Sequence, residues 1–155
     1  MGGEQYVAEE VGYGLVRYGV GNGSRLLVFK LGGTAKLPPA PPPPPPLVLD
    51  PPPSTASQAT IAAGAREFAS HCATCHDPPA ANRGMFPDLR YSPMLRSEAA
   101  FEAIVLGGAF QANGMASFKG RLSEPQVRSV RAFVIALANQ AKAAQQGQHR
   151  QGTAN

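Results

Sequence analysis

Phe68-Ala69-Ser70-His71-Cys72-Ala73-Thr74-Cys75-His76 is the stretch on which the reading of this chain turns. It holds the only two cysteines among 155 residues; they stand three apart, and an imidazole follows the second directly. Two cysteines leave nothing for a disulfide framework, so the pair shares one task. On a helical turn this spacing lets both sulfurs reach the two vinyl groups of one porphyrin edge as thioethers, while the next residue swings its ring under the iron. A zinc site would need a second ligand pair, and the only other histidines are His71 and His149. A thioredoxin-like dithiol would open a helix after a strand, whereas these cysteines follow helix-patterned sequence. One covalent haem c, bound by Cys72, Cys75 and His76, is the expectation.

Outward from the motif the pattern stays helical. Ile61, Gly64 and Phe68 recur at spacings of three and four, which predicts a helix near Gln58 to His71 and puts Phe68 one turn before Cys72. Downstream, Ser97 caps a short helix carrying Phe101, Ile104 and Val105, and Gly107-Gly108 stops it. Ser123 and Gln126 match a capping box, Leu122 and Val127 can staple across it, and Pro125 is tolerated in the first turn. Val127, Val130, Phe133, Val134 and Leu137 then give the last helix its apolar face. Beyond Ala144 the sequence is Gln-rich and polar, so residues 145–155 are expected to fray into a disordered tail.

The iron face opposite His76 calls for a soft or nitrogenous ligand from distant sequence, and Met85, Met94, Met115 and His149 are the candidates. Met85 and Met94 lie in the segment directly after His76, where core filling, the usual fate of methionine, accounts for them. His149 belongs to the expected tail. Met115 sits in Ala112-Asn113-Gly114-Met115-Ala116-Ser117-Phe118, a loop with a flexible glycine between the second and last helices, and is the residue chosen. Histidine and methionine together leave no iron position for a substrate and raise the potential. An open sixth position that binds a peroxide or a gas is the enzyme alternative. His76 is expected to donate its free ring N–H to a carbonyl, with Pro87 in Met85-Phe86-Pro87-Asp88-Leu89 as the acceptor. Arg90 and Tyr91 are candidates for hydrogen bonds to a propionate, against the plainer reading of solvated loop residues.

Upstream of the helical zone the chain changes character twice. Gln5-Tyr6-Val7-Ala8, Leu15-Val16-Arg17-Tyr18 and Arg25-Leu26-Leu27-Val28-Phe29-Lys30-Leu31, punctuated by glycines, predict two or three strands within residues 1–36. So few strands cannot bury both faces alone. Residues 37–56 hold Pro38, Pro39, Pro41 to Pro46 and Pro51 to Pro53, which suit neither helix nor ladder and predict an extended polyproline spacer. The net charge of +4 lies entirely in residues 59–155, with ten basic and six acidic side chains, against four of each in residues 1–58. The basic residues are scattered singly without interleaved aromatics, which argues against nucleic acid as a partner. No stretch approaches the apolar length needed to cross a bilayer. Met1 to Glu10 lack the basic and then apolar pattern of a secretory signal.

Gly64-x-x-x-Phe68-x-x-x-Cys72-x-x-Cys75-His76, the Pro87 loop, Asn113-Gly114-Met115 and the Val130/Phe133 face resemble class I cytochrome c, an all-α fold whose first and last helices cross at the glycine and aromatic positions. Pro87-Asp88-Leu89-Arg90-Tyr91-Ser92, the run Phe101 to Gly108 and Asn113-Gly114-Met115-Ala116-Ser117-Phe118 are similar, more narrowly, to the C-terminal cytochrome domain of quinohaemoprotein alcohol dehydrogenases. Gly3 to Ala8 and Arg25 to Gly33 are similar to the closing strands of that family's eight-bladed propeller. The resemblance implies a β remnant of a propeller over residues 1–36, a linker over 37–56 and a cytochrome c domain over 57–144. It also implies a propeller partner that holds pyrroloquinoline quinone (PQQ) and calcium, and a soluble acceptor, either a small copper protein or a cytochrome. No catalytic aspartate, calcium ligand or quinone pocket maps onto residues 1–36, so dehydrogenase activity does not carry over to this chain. Haem attachment of this type implies the periplasm, and with it a fragment of a longer exported chain, the alternative being a truncated, non-functional product.

Overall fold

The computed structural model describes residues 3, 5–11, 25–36, 48–76 and 86–152. Leu15 to Tyr18, most of the proline run and Met85 lie outside them. Two strands, β1 (Tyr6–Val11) and β2 (Arg25–Lys30), form an antiparallel pair with Tyr6 opposite Lys30 and Val11 opposite Arg25. Lys30 places its ammonium over the Tyr6 ring, 5.9 Å from the centroid, so this cross-strand pair supports itself. Most other apolar side chains of the hairpin remain exposed, Leu31 completely.

The helical body consists of α1 (Gln58–His71), α2 (Ala73–His76), α3 (Glu98–Val105) and α4 (Glu124–Gly152), with single 3-10 turns at Leu89–Tyr91, Pro93–Arg96 and Gln111–Asn113. Each longer helix starts where its polar cap stands. The Ser57 hydroxyl accepts from the Thr60 amide at 3.1 Å and the Ser97 hydroxyl from the Ala100 amide at 3.2 Å. At α4 the capping box closes from its far side, Gln126 Oε1 accepting from the Ser123 amide at 2.9 Å. The end of α3 is fixed by Gly108, whose φ of +69° is a left-handed conformation that suits glycine.

Helices α1 and α4 cross in intimate contact, and the sequence dictates where. A β-carbon on Gly64 would lie 1.9 Å from the Ser129 carbonyl oxygen, so only a residue without one lets the two backbones approach this closely. One turn on, the rings of Phe68 and Phe133 meet at 5.4 Å with a tilt of 58°. Around this crossing Phe68, Leu95, Phe101, Val105, Leu122, Val127, Val130, Val134, Ile135 and Ala138 form one buried cluster. The buried stripe of α4 is broader than the periodic pattern predicts: Ile135 and Ala138 join Val127, Val130 and Val134, while Phe133 and Leu137 are only partly covered.

Two boundaries differ from those expected. The predicted linker reaches residue 56, yet its last part is packed on the helical body. Leu49 is buried, the Asp50 carboxylate pairs with Arg96 and lies 3.5 Å from Lys142, and the Pro52 carbonyl accepts from Asn139 at 2.9 Å. Missing amide hydrogens exclude proline from ladders but leave its carbonyl and its neighbours free to bind. At the other end, α4 continues to Gly152 rather than fraying after Ala144. Apolar periodicity does end there, but Ala, Gln and Lys are good helix formers and sustain the backbone in an exposed helix. Among the described residues no helix is long and apolar enough to cross a membrane.

Candidate haem site

The C-x-x-C-H stretch lies on a tight turn that continues α1 after a local break at Cys72. The Cys72 amide donates to the Phe68 carbonyl at 2.8 Å, and the Cys72 carbonyl accepts from both Cys75 (3.1 Å) and His76 (2.8 Å). Three chemistry-bearing side chains are thereby held on one turn of backbone. Neither cysteine is in a disulfide, and both are partly covered. Cys72 packs against the buried cluster, and burial, followed by the neighbouring Cys75 and Glu67, pushes its thiol up to about 11. A thiol held protonated in this way is a weak nucleophile and resists oxidation.

His76 is oriented by a hydrogen bond and a ring contact. Its Nδ1 lies 3.0 Å from the Pro87 carbonyl oxygen. A carbonyl oxygen only accepts, so the proton resides on Nδ1 and Nε2 keeps its lone pair for a metal. Phe86 meets the same ring edge-on at 6.4 Å and limits its rotation. A histidine presented in this tautomer beside two thiols fits a haem iron.

Met115 follows Gly114, whose φ of +93° lets the chain turn sharply after the 3-10 turn at Gln111–Asn113. Its amide donates to the Phe110 carbonyl at 3.2 Å, and its side chain packs against the same buried cluster that Cys72 touches. The loop is tied back to α3 by the Phe118 amide on the Val105 carbonyl at 2.8 Å and the Ser117 hydroxyl on the Leu106 carbonyl at 2.6 Å. The Phe118 ring in turn meets His71 at 6.2 Å, so the methionine loop adjoins the end of α1.

Arg90 is largely committed to its own loop. Its Nε and Nη2 grip the Asp88 carboxylate, the shortest contact being 2.6 Å, and this pairing raises the guanidinium above its ordinary range. Asp88 also caps the 3-10 turn through the Arg90 amide at 3.0 Å. An arginine two residues after an aspartate was the signal for this pair. Tyr91 places its hydroxyl 3.5 Å from Gln145 on α4.

Residues 59–134 match the family model of cytochrome c oxidase, cbb3-type, subunit III. This chain carries a cytochrome c domain. Among curated relatives, the chain is 36% identical over 145 residues to the quinohemoprotein alcohol dehydrogenase ADH IIB of Pseudomonas putida, covering 87% of this chain and 21% of that one. It is 35% identical to the dehydrogenase subunit of the quinone alcohol dehydrogenase of Komagataeibacter europaeus, with 89% and 20% covered. Among solved structures, the quinohemoprotein alcohol dehydrogenase ADHIIG of Pseudomonas putida HK5 superposes with a TM-score of 0.66 at 32% identity, over 90% of this chain and 21% of that one. The enzyme of Comamonas testosteroni follows with a TM-score of 0.55 at 29% identity, over 89% and 20%. The chain thus spans about a fifth of the length of the relatives it matches, the part holding their C-terminal cytochrome domain.

Proposed function

We propose that this chain is a single-electron carrier in which Cys72 and Cys75 hold one haem c covalently and His76 and Met115 ligate its iron. The orientation of His76 carries the reading: Pro87 accepts the Nδ1 proton and leaves Nε2 as the donor atom. When bound, the group supplies a one-electron iron couple whose potential methionine ligation raises. The chain's own residues supply the setting. Cys72 and Met115 are both partly buried against the same cluster. Arg90 keeps Nη1 outside its pair with Asp88 and offers it to a propionate.

Electrons come, in this reading, from a PQQ-dependent alcohol dehydrogenase body that the hairpin of residues 1–36 completes. They leave to a soluble periplasmic acceptor, a small copper protein or another cytochrome. Calcium and PQQ belong to that body, outside the present chain. The likeness to quinohemoprotein dehydrogenases over nearly the whole chain supports this placement. Replacing Met115 with Ala tests the ligation: the absorption of the oxidised holoprotein is expected to change from low spin to high spin. A low-spin spectrum unchanged by the substitution would remove Met115 from the iron, and a parent that is already high spin would favour an open sixth position.

A further inference from the structure

The carbonyl that holds His76 belongs to a peptide unit braced from both ends. Its oxygen lies in the plane between Pro87 and Asp88, so the backbone dihedrals of those two residues aim it. The Pro87 ring restricts the chain on one side. On the other, Asp88 stands at φ −72° and ψ 110° as the cap of the Leu89–Tyr91 turn. Its carboxylate accepts from the Arg90 amide at 3.0 Å, from Arg90 Nε at 3.0 Å and from Nη2 at 2.6 Å, while its carbonyl accepts from the Tyr91 amide at 3.1 Å.

The segment so held is itself fastened to the helical body. Ser92 ends the first 3-10 turn and caps the second, accepting from the Met94 amide at 3.3 Å. Arg131 on α4 then donates from Nη2 to the Leu95 carbonyl at 2.6 Å. The side chains of Arg90 and Asp88 are 27% and 20% exposed, so their pair is not the solvated kind whose loss goes unnoticed. The same carboxylate that grips the guanidinium caps the turn directly after the carbonyl on which His76 depends.

We propose that Asp88 is a positioning residue for the axial histidine: through its cap and its pair with Arg90 it keeps the Pro87 carbonyl on the His76 Nδ1 proton, and so sets how strongly Nε2 donates to iron. This deepens the electron-transfer reading and rests on it. A hydrogen bond from Nδ1 raises the basicity of Nε2, and a more basic ligand favours ferric iron.

The test follows the His76 ring N–H by NMR in the reduced holoprotein, where low-spin ferrous iron is diamagnetic. Its exchange with solvent is expected to run about tenfold faster in Asp88→Ala, the weight of about one hydrogen bond. In Asp88→Asn, which can still cap the turn but no longer pairs with Arg90 as an anion, exchange is expected to be about threefold faster. Asp50→Asn removes the same charge elsewhere on the body and is expected to leave the rate unchanged. Both substitutions at Asp88 remove one negative charge, so the difference between their midpoint potentials reports the hydrogen bond, with the higher value expected for Ala. Exchange within about twofold of the parent in Asp88→Ala, or equal potentials in the two variants, would overturn the assignment. Should the Ala chain not fold, the isosteric Asp88→Asn decides alone, and parent-like exchange would contradict the proposal. Absorbance reports haem content before any exchange is measured. A colourless protein overturns the haem reading and this one with it, whereas a low-spin haem protein with unchanged exchange overturns this one alone.

Discussion

The hairpin and the helical body start from similarly apolar sequence and end in opposite states. In β1 and β2, Tyr6, Val7, Leu26, Val28 and Phe29 are roughly half or more exposed. In the body, Leu95, Val127 and Ala138 have no exposure at all. Two strands present two faces, and alternation puts apolar side chains on both, so nothing short of a second layer covers them. An amphipathic helix needs only one neighbour, and α4 provides it for α1 through the Gly64 crossing. Burial thus follows from how many layers a segment can recruit, not from how hydrophobic it is.

That contrast is sharpest at Gly64. Gly64→Ala drives a β-carbon into the Ser129 carbonyl, and the expected loss in urea unfolding is about 3 kcal/mol, the upper end of overpacking costs, against a gain of roughly 1 kcal/mol in helix propensity. A variant as stable as the parent would mean that the helices do not cross there. Leu49→Ala comes next, with an expected loss of about 2 kcal/mol. A change under 0.5 kcal/mol would return residues 48–53 to the status of a free spacer. The smallest effect is expected in the hairpin: Leu26→Thr with Leu31→Ser should move unfolding of the helical body by no more than about 0.5 kcal/mol, while reducing self-association in sedimentation. A loss above 1 kcal/mol would show that the strands lean on the helices and would erase the comparison.

Much of the body was legible because its determinants are local. Ser97 and the Ser123/Gln126 pair announce helix starts within three residues, Ser97 accepting from the Ala100 amide and Gln126 from the Ser123 amide. Gly64 and Phe68, spaced by one turn before Cys72, give the crossing, and an imidazole directly after the second cysteine points to a carbonyl acceptor, which Pro87 supplies in the structure. Other parts depend on partners remote in sequence. Leu49 and Asp50 lie in proline-rich sequence without periodicity, and the partners of Asp50 are 46 and 92 residues away. Nothing local distinguishes such a strap from a linker. Arg90 was read as a propionate partner or a solvated loop residue, and its near neighbour Asp88 holds two of its three guanidinium nitrogens. The end of α4 escaped notice because apolar periodicity reports burial, whereas a solvent-exposed helix of Ala, Gln and Lys persists on propensity alone.

Covalent attachment at the two cysteines underlies the proposed function. Intact-protein mass spectrometry of the chain, produced with an export signal and haem-maturation machinery and challenged with iodoacetamide, measures this directly. The predicted result is a coloured protein heavier by one haem, with neither Cys72 nor Cys75 alkylated. A folded, exported, colourless protein that takes up two alkyl groups would contradict it.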